Sequence, residues 1–450
     1  MDDWLTAAAR SRPRHPAVEA PDGALTYAEL DERADAAARR LAALGVEPGG
    51  RVATTLPPST RFCALLHAAP RLGAALVPLN TRLPVPAQRA QADAVGADAI
   101  VDGPLDGMEA AFEPRHDVDP AAVHSVLFTS GTSGEPKPVE LTVANHDASA
   151  AGSAAAFGVE PGDRWLCPLP LFHVAGIGIL VRCARSATTA VLHDRFDPLG
   201  IVNALEAGDA TLISLVPTQL RRLRDSGLSS APALRALLLG GGPIPPDLVE
   251  WARAAGLPVR CTYGMTETAS QVAVTAPWEP AATPLPGVEI RIGADAEIEV
   301  RAPMAAPAAV DADGWLRTGD RGSLDRHGRL RVEGRIKDLI ATGGEKVAPA
   351  TVEAVLLAHP SVADAAVAGT PDPDWGEAVT AFVVERKPVS DYDLLAFCRE
   401  RLAGFQVPKR VVRVESLPRN AAGKLLRADL ERAISRPWQR GGPGARAPPA

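Results

Sequence analysis

Residues 236–262 read ALLLGGGPIPPDLVEWARAAGLPVRCT. Two short apolar runs, Ala236–Leu239 and 259–262, bracket a helical stretch over 246–255, and the first run halts abruptly at Gly240-Gly241-Gly242-Pro243. Runs of four to eight apolar residues that end in turn formers predict buried strands. The same punctuation recurs at 123–128 and 211–216, each run closing on Ser, Thr, Gly or Pro. Strands alternating with helices predict wound α/β architecture, with ligands gathered at the carboxyl ends of the strands. Chemistry is therefore sought in the loops that follow those runs.

Outward from this stretch the organisation continues in both directions. Thr26 and Glu29 form the S/T-x-x-E capping signature, and Leu30, Ala34, Ala37, Leu41 and Leu44 recur at helical spacing until Gly45. Beyond Gly334 the pattern shortens. Helices are predicted near 351–358 and over 391–402, and strands near 363–368, 378–384 and 410–414, which makes a small α+β domain. The expected division is a large domain over 1–336, a small mobile one over 337–435, and a Pro-, Gly- and Arg-rich tail over 436–450 expected to be disordered.

The composition narrows the function. A chain of 450 residues, 46% of them hydrophobic, can bury a large core. A net charge of -7 argues against nucleic acid, which would call for a basic face. The apolar stretch 171–181 is too short to span a bilayer, and the acidic Asp2-Asp3 pair stands where a signal peptide would be basic, so a cytoplasmic protein is expected. Cys63, Cys167, Cys183, Cys261 and Cys398 are scattered and form no C-x-x-C pair, and no His or Cys cluster has zinc spacing.

Several loops carry residue types suited to a nucleotide. Thr129-Ser130-Gly131-Thr132-Ser133-Gly134-Glu135-Pro136-Lys137 follows a strand, and its hydroxyls and bare glycine backbone could surround phosphates. Its composition alone favours an ordinary Ser/Gly turn, since it lacks the G-x-x-x-x-G-K-[ST] spacing. Tyr263-Gly264-Met265-Thr266-Glu267-Thr268 also follows a strand. It offers a flat ring for a purine and a hard oxygen for Mg²⁺, though alone it reads as a surface turn. The Gly240-Gly241-Gly242 turn lets backbone approach a ligand, and Asp320 in Thr318-Gly319-Asp320 is an acceptor-only carboxylate suited to a pair of hydroxyls. Two more segments complete the series: Gly334-Arg335-Ile336-Lys337-Asp338 with Gly343-Gly344-Glu345-Lys346 and Glu353, and 417–424 ending in Lys424.

In this order, over about residues 25–427, the segments resemble those of the adenylate-forming superfamily: acyl-CoA synthetases, luciferases and peptide-synthetase adenylation domains. The resemblance implies a role for each. Thr129, Ser130, Gly131, Thr132, Ser133, Gly134 and Lys137 would hold the phosphates of ATP. Gly240, Gly241, Gly242, Tyr263, Gly264 and Met265 would surround the adenine, Thr266 would touch the α-phosphate and Glu267 would ligate Mg²⁺. Asp320 and Arg335 would bind ribose, Lys337 would be the hinge, Gly344 would line the path of the CoA thiol, and Lys424 would enter the site during adenylation. Glu135 departs from the basic residue common in that loop.

The implied activity is an ATP- and CoA-dependent acid ligase working through an acyl-AMP, free-standing because no carrier segment follows. Segments 78–84, 170–176 and 263–271 resemble the branch acting on o-succinylbenzoate in menaquinone biosynthesis. In that branch His173 would line the acid pocket, and Arg182, Thr218 and Ser270 are the candidates to meet a second carboxylate. The alternatives are another aryl or medium-chain acid, loading of a separate carrier protein, or a non-catalytic nucleotide-binding protein of the same fold.

Overall fold

The computed structural model describes residues 1–130, 136–419, 425–427 and 429–430. The chain divides into two compact units, Met1–Val332 and Glu333–Ala450. The large unit is α/β, as its alternating pattern predicts.

Six parallel strands form its centre: Pro16–Ala20, Thr189–Leu192, Arg164–Cys167, Leu212–Leu215, Ala236–Leu239 and Val259–Tyr263, in that spatial order. They are near-continuous apolar runs because helices cover both faces of a parallel sheet. All four residues of Ala236–Leu239 and of Leu212–Leu215 are buried. Leu237, Leu239, Ile213 and Leu248 are fully enclosed, and each contributes about 1.5–3 kcal/mol by leaving water. Beyond Val259–Tyr263 the sheet continues through antiparallel pairs with Ala273–Thr275 and Ala282–Pro284 to Leu330–Arg335, Leu316–Leu324, Glu297–Arg301 and Glu289–Ile292. A second sheet of five strands runs Ala99–Val101, Arg51–Thr54, Ala75–Pro78, Val123–Ser130, Pro136–Thr142, parallel until its last pair.

The helix predicted after Thr26 spans Tyr27–Ala43 with both capping-box bonds formed. It belongs to a three-helix weld. Arg71, on Thr60–Leu72, is completely buried and its guanidinium donates to Asp3 Oδ2 at 2.6 Å, Asp35 Oδ1 at 2.6 Å and Asp31. Asp3 caps the helix Trp4–Ser11, and Asp31 and Asp35 lie on Tyr27–Ala43, so one cation joins three elements.

The small unit is built on a long hairpin, Val362–Asp372 against Gly376–Glu385, with Arg410–Arg413 added in parallel and Ile340–Thr342 and Glu345–Val347 on the other side. Its strands run past the predicted bounds because each pairs with the other along its whole length. The helix expected over 391–402 is Asp391–Arg399, since its end tightens into an Arg401 N–H to Cys398 C=O bond. The tail over 436–450 lies outside the described residues.

Candidate active site

Because the central strands are parallel, their carboxyl ends share one edge, and the loops after Ala236–Leu239 and Val259–Tyr263 lie there. Leu239 ends its strand against Val259–Tyr263, and a Cβ on Gly240 would lie 2.3 Å from Thr262 Oγ1. Gly241 has φ +79°, which side chains rarely adopt. Both glycines are therefore demanded by the turn itself, while Gly242 faces open space.

Tyr263 closes the next strand. Gly264 follows because a Cβ there would come within 1.7 Å of Ser270 C=O. The chain then folds into the short 3₁₀ turn Thr266–Thr268. Ser149 Oγ donates to Ala269 C=O at 2.7 Å, and Ala306 N–H donates to Glu267 C=O at 2.7 Å, so helix and strand-side neighbours fix the turn from two directions. Thr266 and the Glu267 side chain remain half-buried at its surface.

Asp320 arrives from the antiparallel part of the sheet. It lies within Leu316–Leu324 just after Gly319, whose φ is +68° and whose N–H is held by Glu297 Oε1 at 2.9 Å. Tyr263 Oη donates to Asp320 Oδ2 at 2.9 Å, although the two are 57 residues apart. The candidate purine ring and the candidate ribose acceptor thus sit in one place. Tyr263→Phe is expected to raise the KM for ATP about tenfold with little change in Tm, because it frees a charged acceptor from a bond worth ~1.5 kcal/mol or more. Steady-state kinetics beside thermal unfolding would check this, and an unchanged KM would separate Asp320 from the nucleotide.

Thr129 and Lys137 face each other across the hairpin Val123–Ser130/Pro136–Thr142, and Thr129 Oγ1 bonds Lys137 C=O at 3.4 Å. The residues flanking the candidate phosphate loop are thus paired strand to strand. Gly131, Thr132, Ser133 and Gly134 lie outside the described residues, as does Glu135. Glu267 would hold Mg²⁺ as a single carboxylate, for no cluster of three or more His, Cys, Asp or Glu suited to a metal occurs among the described residues. That donor set fits an ion whose other ligands are nucleotide phosphates and water.

For the acid, His173 caps the helix Val174–Ser186 and packs on Phe172, ring centroids 4.6 Å apart. Burial draws its pKa down to about 4, and the nearby positive charge of Arg82 adds to this, so the imidazole is neutral at pH 7. Thr218 is the second residue of Pro217–Asp225, just after Leu212–Leu215, and Ser270, at φ 104°, follows the Thr266–Thr268 turn. Arg182 is placed elsewhere. Its guanidinium shares a cleft with Trp165 and Leu212, at the amino ends of their strands and so at the opposite edge of the sheet. The cation near His173 is Arg82, inside a segment quoted for its resemblance but not singled out.

In the small unit, Arg335 ends Leu330–Arg335 and Lys337 occupies the turn Ile336–Asp338. Gly343 and Gly344 have φ +58° and +86°, a two-residue hairpin turn that selects glycine at both positions. Lys424 lies outside the described residues, but its surroundings are well tied. Arg419 pairs with Leu425 as an antiparallel bridge, and Arg419 also grips both oxygens of Asp364 at 3.0 and 2.8 Å. Arg427 donates to Glu353 Oε1 at 2.5 Å and Oε2 at 3.0 Å, and its Nε lies 3.4 Å from Asp338 Oδ2.

Residues 5–118 and 102–306 match the AMP-binding enzyme family, and 351–424 match the AMP-binding enzyme C-terminal domain. The chain belongs to the AMP-binding enzyme family. It is 40% identical to a 2-succinylbenzoate–CoA ligase of Geobacillus kaustophilus over 98% of this chain and 99% of that one. It is 37% identical to the ligase of that name from Bacillus licheniformis, over 95% and 99%. Among solved structures it resembles o-succinylbenzoate CoA synthetase of Bacillus subtilis in complex with the acyl-adenylate intermediate, with TM-score 0.90 and 35% identity over 96% of this chain and 98% of that one. The same Bacillus subtilis enzyme in complex with ATP and magnesium ion aligns with TM-score 0.88 and 36% identity, over 96% and 99%. The large α/β unit and smaller C-terminal unit are those of adenylate-forming AMP-binding enzymes.

Proposed function

We propose that this AMP-binding enzyme is an ATP-dependent acid:CoA ligase that converts o-succinylbenzoate to its CoA thioester, a step of menaquinone biosynthesis. The observation that carries the nucleotide half is the Tyr263–Asp320 hydrogen bond at 2.9 Å, which unites base and ribose contacts beside Thr266 and Glu267. The acid is supported by the similarity to ligases and complexes of that substrate.

In the first half-reaction a substrate carboxylate oxygen attacks the α-phosphorus of ATP in line, and the bond to the β-phosphate breaks as pyrophosphate leaves. No protein atom becomes covalently bound, so the chain acts by positioning and by stabilising charge. Thr129, Ser130, Gly131, Thr132, Ser133, Gly134 and Lys137 hold the phosphates, Gly240, Gly241, Gly242, Gly264 and Met265 border the base, Asp320 and Arg335 hold ribose, and Lys424 brings a positive charge. Magnesium bound through Glu267 would neutralise phosphate charge. In the second half-reaction the CoA thiolate attacks the acyl carbon and AMP departs, its sulfur passing Gly344 after the small unit turns about Lys337.

Neutral His173, Thr218 and Ser270 line the acid pocket, and Arg82 meets the second carboxylate. The reaction is assigned to the cytoplasm. That assignment follows from the ATP and CoA the proposed reaction consumes; separately, no helix among the described residues is long and apolar enough to cross a membrane.

The test measures pyrophosphate release and thioester formation with ATP, Mg²⁺ and a panel of acids, with and without CoA. Release with o-succinylbenzoate and its CoA thioester as product would support the whole reading. A thioester from a different acid alone would move the pathway and leave the ligase reaction standing.

A further inference from the structure

Arg182 lies within the apolar helix Val174–Ser186 and is only 5% exposed. Its Nε and Nη2 are buried with no hydrogen-bond partner, and the same is true of Ser153 Oγ on the facing helix Val143–Phe157. Both side chains line one cleft of about 20 Å³, walled by Phe157, Trp165, Thr188 and Leu212. Burial draws the Arg182 pKa down to about 10, so at neutral pH the group is still a cation.

Among the described residues no carboxylate pairs with it. Asp163 also borders the cleft, but it is held by Arg235 through Nε at 3.0 Å and Nη2 at 2.5 Å and accepts from Thr211 Oγ1 at 2.8 Å. The Trp165 ring, 5.4 Å from the guanidinium carbon, offsets part of the positive charge. Unpaired charge away from water costs several kcal/mol, and water can fill hydrogen bonds there but brings no opposite charge. A water-sized body needs ~10–15 Å³, so the cleft has room for about one small body.

We propose that this cleft is a binding site for a single small monovalent anion of the halide class, held by Arg182 Nε and Nη2 and by the Ser153 hydroxyl. The site lies at the amino ends of the strands, so it is separate from the nucleotide and acid contacts at the opposite edge.

Thermal unfolding of the full chain in mixtures of sodium chloride and sodium gluconate at constant ionic strength tests this. Tm should rise with chloride by about 3 °C and then saturate, as expected when a ligand binds only the folded state. Bromide should replace chloride, and crystals grown in bromide should show an anomalous peak within hydrogen-bond distance of Arg182 and Ser153. Arg182→Leu should abolish the saturable rise, and Ser153→Ala should shift it to higher halide. If Arg182→Leu does not fold, the wild-type titration and the bromide crystal decide. A Tm indifferent to chloride, a linear trend shared by Arg182→Leu, or an ordered water in place of the bromide peak would overturn the proposal.

Discussion

Lys424→Ala is expected to slow acyl-adenylate formation by about 10²–10³ while leaving thioester formation from supplied acyl-AMP largely intact. The proposed adenylation places negative charge on the α-phosphate and on the departing pyrophosphate. A preorganised cation aimed at that charge is typically worth this much in rate, because it needs no reorganisation when the charge develops. Thioester formation uses a different set of contacts, with AMP leaving rather than pyrophosphate. The two half-reactions should therefore separate in this variant. Pyrophosphate exchange reads the first, and consumption of synthetic acyl-AMP with CoA reads the second. Equal losses in both would make Lys424 a structural residue, and adenylation within about threefold of wild type would remove it from the reaction.

Arg71→Met should be the most damaging single change to stability, about 3–5 kcal/mol, seen as a fall in Tm of about 5–10 °C. Methionine fills much of the volume but leaves Asp3, Asp31 and Asp35 facing one another without the cation that joins them. The dependence on pH has a definite sign. Burial alone would raise the Asp3 pKa, but the Arg71 charge and hydrogen bonds, with His67 and the Thr6 N–H, bring it below 3.8. In the wild type this contributes stability above the ordinary aspartate pKa that is lost as pH falls through the lowered value. Without Arg71 burial dominates and the carboxyl pKa rises. The gap between wild type and variant should then be widest near pH 7 and narrow towards pH 4, where the carboxyls become neutral. Denaturation at a series of pH values would show it, and a gap independent of pH would mean that packing, rather than charge, is what Arg71 supplies.

The parallel core was legible because its strands are enclosed on both faces. Ala236–Leu239 carries no polar residue to blur its ends, and the glycines after it mark where a ligand edge begins. The antiparallel extension was harder to see. Glu297 and Glu299 are buried in Glu297–Arg301, paired with Arg317 and Arg291 on neighbouring strands. Side chains satisfied across strands look like a solvated segment when read along one. The second-sheet strands Arg51–Thr54 and Ala99–Val101 are too short to carry a period.

The residues proposed for the nucleotide were legible as residue types in loops, but the meeting of two of them was not, since nothing along the chain shows that Tyr263 and Asp320 touch. The acid side was least legible. One arginine in an apolar helix and another in a short loop are equal candidates as letters. Only the direction of the strands separates Arg182 from Arg82.

The ties around residues 419–427 also bear on how the reaction gathers its parts. Lys424 is joined by one peptide bond to Leu425, which is bridged to Arg419, and two residues further on comes Leu426–Arg427, anchored to the helix bearing Glu353 and to Asp338 beside Lys337. Such a root ties the chain at 425–427 to the small unit's own helix and turn, so that this stretch is carried wherever the unit goes. Under the proposed mechanism, loosening Glu353 or Asp338 would then act on adenylation as dilution of a reagent does.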